Sequence, residues 1–354
     1  MLTVLGNPEN RRVHGFVEAA RSRGLDPQVL AWADLLRGAA PPDKGWIRID
    51  SPGEDATVRR LLLEAGASRV DVPLPRARLD ALTSDTTRIG GSRQAHLGLV
   101  AALERLDPGR CVPSPAAIAT LGDKRACSAH LAAAGVPVPP SLPEVRTSDE
   151  AFALLRAHRR VFLKPRHGSS ASGVLAWETN GARHKVTTSV EVTDDGLHNS
   201  LRVRRYRDPA TIRRIVDALA PDGLHAERWV PKAGLDGRTF DLRVVVIDGR
   251  AEHVVVRTAT GPLTNLHLGN ARGDVDAVRR ALGEAAWTAG LDVAIAAAAA
   301  FDGLPWCGVD LLAKAHGGWA VCEVNAFGDL VPGVRDRAGR STWEAEADWL
   351  AARL

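Results

Sequence analysis

The sequence predicts an α/β fold, because short apolar strands alternate with helices along most of the chain. Three observations support this prediction. Residues 2–5 form an apolar strand that a turn joins to a helix at 11–22. Residues 28–32 and 46–50 continue the pattern, and such strand–turn–helix repetition is typical of a parallel sheet. Hairpins replace these units near the carboxyl end, so the C-terminal part is predicted as α+β.

The length of 354 residues predicts two or three domains, because it exceeds what one ordinary core organises. We divide the chain into an N-terminal α/β domain at 1–112, a central lobe at 113–228 and a C-terminal lobe at 229–354. A Pro- and Gly-rich stretch at 108–115 is interpreted as the first linker. The hydrophobic content of 45% and charged content of 25% are those of a globular protein.

The composition argues against several classes of protein. The net charge is only +4, and no basic stripe alternates with aromatic residues, so we expect no nucleic-acid partner. No apolar run has transmembrane length and the amino terminus is unlike a signal peptide, so we expect a cytoplasmic protein with no membrane partner. The four cysteines lack CxxC spacing, which argues against zinc and against a disulfide framework. The sequence leaves open whether the chain forms a homodimer.

The most informative residues lie in a predicted β-hairpin at 306–326, where two apolar runs flank a Gly-rich turn. Counting outward from the turn places Asp310 opposite Glu323, and Asn325 on the face of Glu323. Opposed carboxylates repel each other, and a cation between them removes the conflict. Two carboxylates and an amide oxygen suit Mg²⁺, with Mn²⁺ as an alternative ion. Taken alone, the hairpin is equally consistent with a solvated face that carries incidental acids.

A second pattern is typical of phosphate binding. A predicted strand at 161–164 ends in Lys164, and a loop rich in Gly and Ser follows at 168–173. The N–H groups and hydroxyls of such a loop can face oxyanions, and glycine permits close approach. The chain has no GxxxxGK[ST] motif, so this is not a Walker loop. A mobile hairpin tip is the alternative interpretation.

A further hairpin at 239–257 turns at an Asp-Gly pair, which favours a type I′ turn. Asp241 and Arg243 share one face of its first strand because side chains alternate. Counting through the turn places Arg257 on the opposite face from Arg243. We therefore expect only one of the two arginines to reach a common site unless the strand bends.

The order of these pieces resembles a known superfamily. The segments that carry the resemblance are Asp123-Lys124, Phe162-Leu163-Lys164-Pro165, Gly168-Ser169-Ser170, Glu227-Arg228-Trp229-Val230, Asp241-Leu242-Arg243, Asn265-Leu266-His267, Gly308-Val309-Asp310 and Glu323-Val324-Asn325. Together they resemble the ATP-grasp carboxylate–amine ligases over roughly residues 110–335. Within that superfamily the chain looks most like the amino-acid ligases typified by the ribosomal-protein glutamate ligase. The first 110 residues are similar only to a generic Rossmann-like domain that precedes the ATP-grasp fold.

The resemblance implies ATP and Mg²⁺ as cofactors and a role for each matching residue. The residues expected to bind the ATP phosphates are Lys124, Lys164, Gly168, Ser169, Ser170 and Gly173. Adenine and ribose are expected at Glu227, Trp229, Val230 and Asp241. The expected metal ligands are Asp310, Glu323 and Asn325. The residues expected near the reacting acyl phosphate are Arg243 and Arg257. Asn265 is expected to take part in catalysis by helping to line the metal and phosphate site.

The reaction implied is the joining of a carboxylate to an amine through an acylphosphate, on a small molecule or a peptide. Two alternatives are a phosphotransferase that stops after phosphorylation and a nucleotide-binding module without turnover. The glutamate-ligase type follows its last metal ligand with a small-Ser-Pro-Gly turn. This chain instead has Ala326-Phe327-Gly328-Asp329, so the acceptor stays open. Phe327 is expected to pack against the C-terminal helix or narrow the pocket, and Asp329 to orient an amine or lie exposed.

Several polar side chains have two interpretations. Arg166 grips a substrate carboxylate or is solvated. His167 and His267 donate to phosphate or lie on the surface. Arg11 and Arg12, beside the first strand–helix turn, are hypothesised to bind an anionic substrate.

Overall fold

The computed structural model of the chain describes residues 1–53, 55–327 and 331–354. Its strands are β1 (Leu2–Gly6), β2 (Pro27–Ala31), β3 (Trp46–Ile49), β4 (Cys111–Val112), β5 (Arg160–Pro165), β6 (Leu175–Thr179), β7 (His184–Thr193), β8 (Gly196–Tyr206), β9 (Leu224–Arg228), β10 (Gly234–Leu235), β11 (Arg238–Ile247), β12 (Arg250–Ala259), β13 (Ala271–Gly273), β14 (Trp306–Ala313) and β15 (Trp319–Asn325). Its α-helices are α1 (Arg11–Arg21), α2 (Trp32–Leu36), α3 (Ala56–Gly66), α4 (Arg76–Ser84), α5 (Ser92–Leu103), α6 (Pro115–Leu121), α7 (Lys124–Ala133), α8 (Ser148–His158), α9 (Pro209–Leu219), α10 (Val275–Leu282), α11 (Glu284–Ala299) and α12 (Thr342–Ala351). None of the helices in these ranges combines the length and apolar character that crossing a bilayer requires.

The amino-terminal part forms the predicted parallel sheet, with strand order β2-β1-β3-β4. Its central strand is buried along its whole length, as expected when helices cover both faces. The interpretation of 108–115 as a linker is wrong, because Cys111 of β4 pairs with Ile47 of β3 and completes this sheet. A two-residue strand next to proline carries no periodic signal, so the sequence did not reveal it.

The second sheet is antiparallel, with order β8-β7-β6-β5-β9. One face packs against α8 and α9 around a core that includes Trp177, Leu163 and Ile215. Helix α9 presents its apolar residues at helical spacing to this core, and Asp208 caps its first turn by accepting from Thr211 N. The opposite face is left to border a cleft.

The third sheet has the order β13-β12-β11-β14-β15, and β10 pairs with β11. Helix α11 covers its inner face with small residues, and a Cβ at Gly290 would lie 2.5 Å from the Trp319 ring. Two consecutive helices, α10 and α11, follow β13. The break falls at Gly283, whose φ of 80° ends α10 and precedes α11.

The C-terminal helix joins the ends of the chain. A capping box starts α12, where Ser341 and Glu344 are bonded reciprocally. The helix packs on α1, where a Cβ at Gly15 would meet the Trp343 ring at 2.8 Å. One hydrophobic core also runs from the first sheet into the third. The three-domain division therefore stays a prediction, since its first and third parts share a core.

Candidate active site

A cleft opens between the free face of the second sheet and the third sheet. It contains about 880 Å³ of space outside the protein atoms, including its open mouth. The predicted site residues that line it are Lys124, Lys164, Gly168, Ser169, Glu227, Val230, Asp241, Arg257, Asn265, Asp310 and Glu323. The chain therefore brings together residues separated by up to two hundred positions in sequence.

Strands β14 and β15 pair as predicted where the metal ligands are expected. Asp310 lies directly opposite Glu323, and Gly308 lies opposite Asn325. Beyond Asp310 the register shifts at a bulge, so that Leu311 pairs with Val321 and Cys322 is the additional residue. The turn is therefore one residue tighter than predicted, and the bulge restores the opposition of the two acids.

The donor set at this hairpin fits a nucleotide-bound Mg²⁺ rather than a structural metal. In the described parts of the chain, no three His, Cys, Asp or Glu side chains converge around one point. Asp310 and Glu323 supply two carboxylates, and Asn325 adds an amide whose nitrogen donates to Gly308 O at 3.2 Å. Mg²⁺ commonly takes about one or two carboxylates, with phosphate oxygens and waters completing its shell.

The prediction that Arg257 faces away from Arg243 is wrong. A bulge between Val245 and Ile247 shifts the register of the β11–β12 hairpin, so Asp241 pairs with Arg257. Arg243 Nε lies 2.5 Å from Asp310 Oδ1, and Arg257 Nη1 lies 3.1 Å from the same oxygen. Burial raises the pKa of Asp310, but the two guanidinium charges outweigh it and hold the pKa below its ordinary value.

The two predicted phosphate lysines are each paired with a carboxylate. Lys164 Nζ lies 2.6 Å from Glu227 Oε2, deep in the cleft, and His225 Nε2 lies 3.0 Å from the other oxygen. Burial raises the pKa of Glu227, yet the Lys164 charge overcomes it and lowers the pKa to about 2. Lys124 begins α7 and contacts Glu323 Oε1 at 2.6 Å. Both ammonium groups are therefore held in place before any ligand is considered.

The loop at 168–173 lines the same cleft as these two lysines. Lys124 Nζ donates to Gly168 O at 2.5 Å. Ser170 and Ala171 are both left-handed, with φ of 54° and 58°. Such a conformation is costly for residues other than glycine. The buried Ser189 hydroxyl donates to Ala171 O at 2.8 Å and fastens the loop to the sheet.

The segment expected at adenine leaves the second sheet beside the cleft. The Trp229 ring packs on the Phe162 ring with centroids 4.7 Å apart. The backbone N–H of Trp229 donates to Arg160 O at 3.4 Å. Val230 lines the cleft, as does Asn265, whose side chain accepts from His267 N at 3.0 Å. The roles of these residues toward adenine and phosphate stay predictions.

Sequence reasoning missed Lys232 and Thr264, which both line the cleft. Lys232 Nζ donates to Asp241 Oδ2 at 2.8 Å and to Thr264 Oγ1 at 2.6 Å. Arg257 Nε donates to the other oxygen of Asp241 at 2.7 Å. Burial raises the pKa of Asp241, but Arg257 and Lys232 together lower it well below its ordinary value. The sequence signals Lys232 only as a lone cation a few residues after β9, and such a signal is weak by itself.

Comparison with known proteins identifies the fold. No model of a protein family matches the chain, and no curated protein matches its sequence. Among solved structures, the ATP-grasp ligase PsnB complexed with minimal precursor is similar, with a TM-score of 0.55 and 18% identity over 100% of this chain and 99% of that one. The D-cycloserine synthetase DcsG has a TM-score of 0.57 and 19% identity over 100% and 99% of the two chains. The macrocyclase MdnC from Microcystis aeruginosa MRC, bound with precursor peptide MdnA, has a TM-score of 0.53 and 10% identity over 100% of both chains.

The chain has the ATP-grasp fold. The likeness extends over the whole length, so the first sheet is part of it as well. The fold prediction is confirmed, whereas the narrower resemblance to the ribosomal-protein glutamate ligase stays a prediction.

Charges within this ATP-grasp cleft are balanced by short internal contacts. The cations are Lys124, Lys164, Lys232, Arg243 and Arg257, and the carboxylates they contact are Glu227, Asp241, Asp310 and Glu323. A polyanion that arrives with a divalent cation can exchange partners with both sets. The arrangement is suited to a metal–nucleotide complex for that reason.

Arg166 is paired with two carboxylates of the chain itself, and its side chain stays 29% exposed. Its guanidinium bonds Asp123, the capping residue of α7, with Nε 3.1 Å from Oδ1, and contacts Glu144 at 3.1 Å. Lys124 N donates to Arg166 O at 2.9 Å. Arg166 therefore holds the start of α7, and with it Lys124, while a role toward substrate stays a prediction.

The two loop histidines have different surroundings. His167 stacks on His96 with ring centroids 4.3 Å apart, and its Nδ1 lies 3.1 Å from Gly122 O. Burial, followed by the neighbouring His96, lowers the pKa of His167 to about 4. Neither His167 nor the exposed His267 lines the cleft.

The described lining of the cleft does not include Phe327, Arg11 or Arg12. Phe327 packs against the large core shared by the first and third sheets and not against the C-terminal helix. Asp329 lies outside the described residues. Asn7 donates to Pro52 O at 3.2 Å and Gly53 O at 3.0 Å, so the first strand–helix turn has a structural role. The substrate hypothesis for Arg11 and Arg12 stays a prediction.

Proposed function

We propose that the protein is an ATP- and Mg²⁺-dependent ligase that joins a carboxylate to an amine through an acylphosphate. The observation that carries the proposal is the opposition of Asp310 and Glu323 in a cleft that also holds Lys124 and Lys164. Each group has the charge and hardness needed for one part of a metal–triphosphate complex.

Asp310, Glu323 and Asn325 would hold Mg²⁺, with Mn²⁺ as the alternative ion. When bound, the ion neutralises charge on the terminal phosphates of ATP. Each acid of the pair forms an ion pair with at least one cation of the chain. On binding of the metal and ATP, these cations could exchange the carboxylate for a phosphate oxygen. Arg243 and Arg257 hold Asp310, and Lys124 holds Glu323.

The proposed reaction begins when the substrate carboxylate attacks the γ-phosphorus of ATP and ADP leaves. Arg243 and Arg257 are placed to stabilise the charge of the transferring phosphoryl group. The amine then attacks the acyl carbon, and inorganic phosphate leaves with the former carboxylate oxygen. The loop at 168–173 would exclude water, which would otherwise hydrolyse the acylphosphate.

A peptide or an amino acid is the proposed carboxylate substrate. The fold is shared with PsnB and MdnC, which were solved with precursor peptides, and with a D-cycloserine synthetase. The structural likeness supports ligation of this general kind by analogy.

A screen for ADP release over amino acids and short peptides, with mass analysis of the products, tests the proposal. A ligase gives ADP, inorganic phosphate and a product mass that corresponds to loss of water between acid and amine. A stable phosphorylated acid would instead identify a phosphotransferase. Absence of Mg²⁺-dependent ATP binding would contradict both and favour a module without turnover.

The variant Asp310→Asn is expected to abolish Mg²⁺-dependent turnover. Asp302→Asn is the matched control, because Asp302 is exposed in the turn that precedes β14 and does not line the cleft.

A further inference from the structure

The outer edge of the second sheet is partly covered and partly open. Strand β8 is the last strand of that sheet. Its first half is met by an extended segment of the amino-terminal part, with Ile89 N donating to Leu197 O at 2.9 Å and Asn199 N donating to Thr87 O at 2.7 Å. This edge therefore accepts an antiparallel segment. In the described parts of the chain, no further strand pairs with this edge beyond Asn199.

The open part of the edge protrudes from the sheet. Thr188 pairs with Arg204 and Val190 with Asn199, so Ser189 alone faces residues 200–203. Such an insertion bends the strand and leaves its backbone groups without ladder partners. Two aliphatic side chains point outward there, since Leu201 is 72% exposed and Val203 is 37% exposed.

Arginines surround these two aliphatic side chains. Arg204 pairs with Glu191 across the strands. Within the described ranges, Arg202, Arg205 and Arg207 form no ion pair, and all three are exposed. Uncompensated positive charge beside exposed aliphatic groups indicates a surface for an acidic partner with apolar side chains.

The same edge is continuous with the nucleotide cleft. One row of directly paired residues crosses all five strands on the cleft-facing side, and its members are Glu227, Phe162, Ala176, Thr187 and Arg205. Its first two members line the cleft. Strand β8 also packs against the turn Leu266–Leu268, which follows the cleft residue Asn265.

We propose that the edge at residues 200–207 docks an extended acidic segment of a peptide substrate, which pairs with the β8 backbone and places its acids on Arg202, Arg205 and Arg207. This inference rests on the proposed ligase function and names its substrate class. A peptide fits better than a nucleic acid because the edge offers no exposed ring for base stacking. Tyr206 is turned inward, with its hydroxyl donating to Val190 O at 3.1 Å.

The probe is a fluorescein-labelled decapeptide of alternating Glu and Val, with an alternating Lys and Val decapeptide as its control. Fluorescence anisotropy is measured with the full chain over a range of salt concentrations. We expect the acidic probe to bind and to weaken as salt rises, and the basic probe not to bind. The double variant Arg202→Glu/Arg205→Glu should weaken the acidic probe at least tenfold.

Two further variants separate the contributions to docking. Val203→Pro removes a backbone donor from the edge and should also weaken the probe, because strand addition depends on main-chain hydrogen bonds. Arg183→Glu is the control, since Arg183 is an exposed arginine in the β6–β7 turn of the same sheet and should leave binding unchanged.

Three results would overturn the proposal. They are no salt-dependent binding of the acidic probe, equal loss with Arg183→Glu, and tighter binding of a single-stranded oligonucleotide that displaces the peptide. ATP binding with Mg²⁺, measured by calorimetry on the same variants, should stay unchanged. Absence of ATP binding in the unaltered protein would contradict the proposed function. Intact ATP binding without binding of the acidic probe would contradict only the proposed docking edge.

Discussion

Replacing Lys164 by Met should separate the structural role of this cleft lysine from its proposed role in nucleotide binding. The change leaves Glu227, which is 4% exposed, without its partner at 2.6 Å. Removing one member of a buried ion pair costs about 3–5 kcal/mol because an uncompensated charge stays buried. That cost is roughly two to four powers of ten in the unfolding equilibrium.

Chemical denaturation, followed by tryptophan fluorescence, measures the effect, and Lys185→Met is the matched control. Lys185 makes a pair of similar length, 2.7 Å to Glu178 in the same sheet, but its side chain is 40% exposed. Exposed pairs contribute at most about 1 kcal/mol. The double variant Lys164→Met/Glu227→Gln should recover much of the lost stability while ATP binding stays absent in both. Equal destabilisation by Lys164→Met and Lys185→Met would refute the reasoning.

The pH dependence of this effect has a definite sign. Glu227 has a pKa of about 2 in the folded chain, below its ordinary value of 4.5. A lowered carboxyl pKa stabilises the fold above pH 4.5, and that contribution is lost as the pH falls toward about 2. Lys164→Met removes the main cause of the lowered pKa, so the difference in unfolding free energy between the two proteins should shrink in acid.

Three other predictions concern separate parts of the molecule. His167 has a pKa lowered from 6.5 to about 4, so the free energy of unfolding should decrease as the pH falls from 6.5 toward 4. The variant His167→Gln should flatten that part of a plot of unfolding free energy against pH. Gly66→Ala should destabilise the fold by about 1–3 kcal/mol and lower the thermal midpoint, because the added Cβ would lie 1.9 Å from Gln94 O. Gly261→Ala is the control and should not change the midpoint, because its added carbon meets open space. Ser189→Ala should raise the KM for ATP more than it lowers kcat, because it releases Ala171 and with it the loop at 168–173 that we propose covers the phosphates. Steady-state kinetics with a Thr193→Ala control check this.

The sequence predicted those parts of the site that depend on local alternation. The hairpin of Asp310 and Glu323 was accessible because period-two patterning and a Gly-rich turn specify which side chains share a face. The order of motif segments likewise predicted the fold that the solved structures confirm.

What the sequence did not predict depends on bulges and distant partners. The prediction of the face on which Arg257 lies was wrong, because one irregular residue between Val245 and Ile247 reverses the side-chain direction. The amino-acid composition of the strand does not reveal such a bulge. The ion pairs of Arg166 and Lys232 join elements whose relative placement only the folded chain determines. The strand at Cys111 was missed for a related reason, since its partner is more than sixty residues away.

Anomalous diffraction from crystals grown with Mn²⁺ and a non-hydrolysable ATP analogue tests the central claim most directly. The account predicts a manganese peak bridging the carboxylates of Asp310 and Glu323, with the terminal phosphates of the analogue beside Lys124 and Lys164. A bound analogue whose manganese lies away from both carboxylates, or a nucleotide seated outside this cleft, would contradict it.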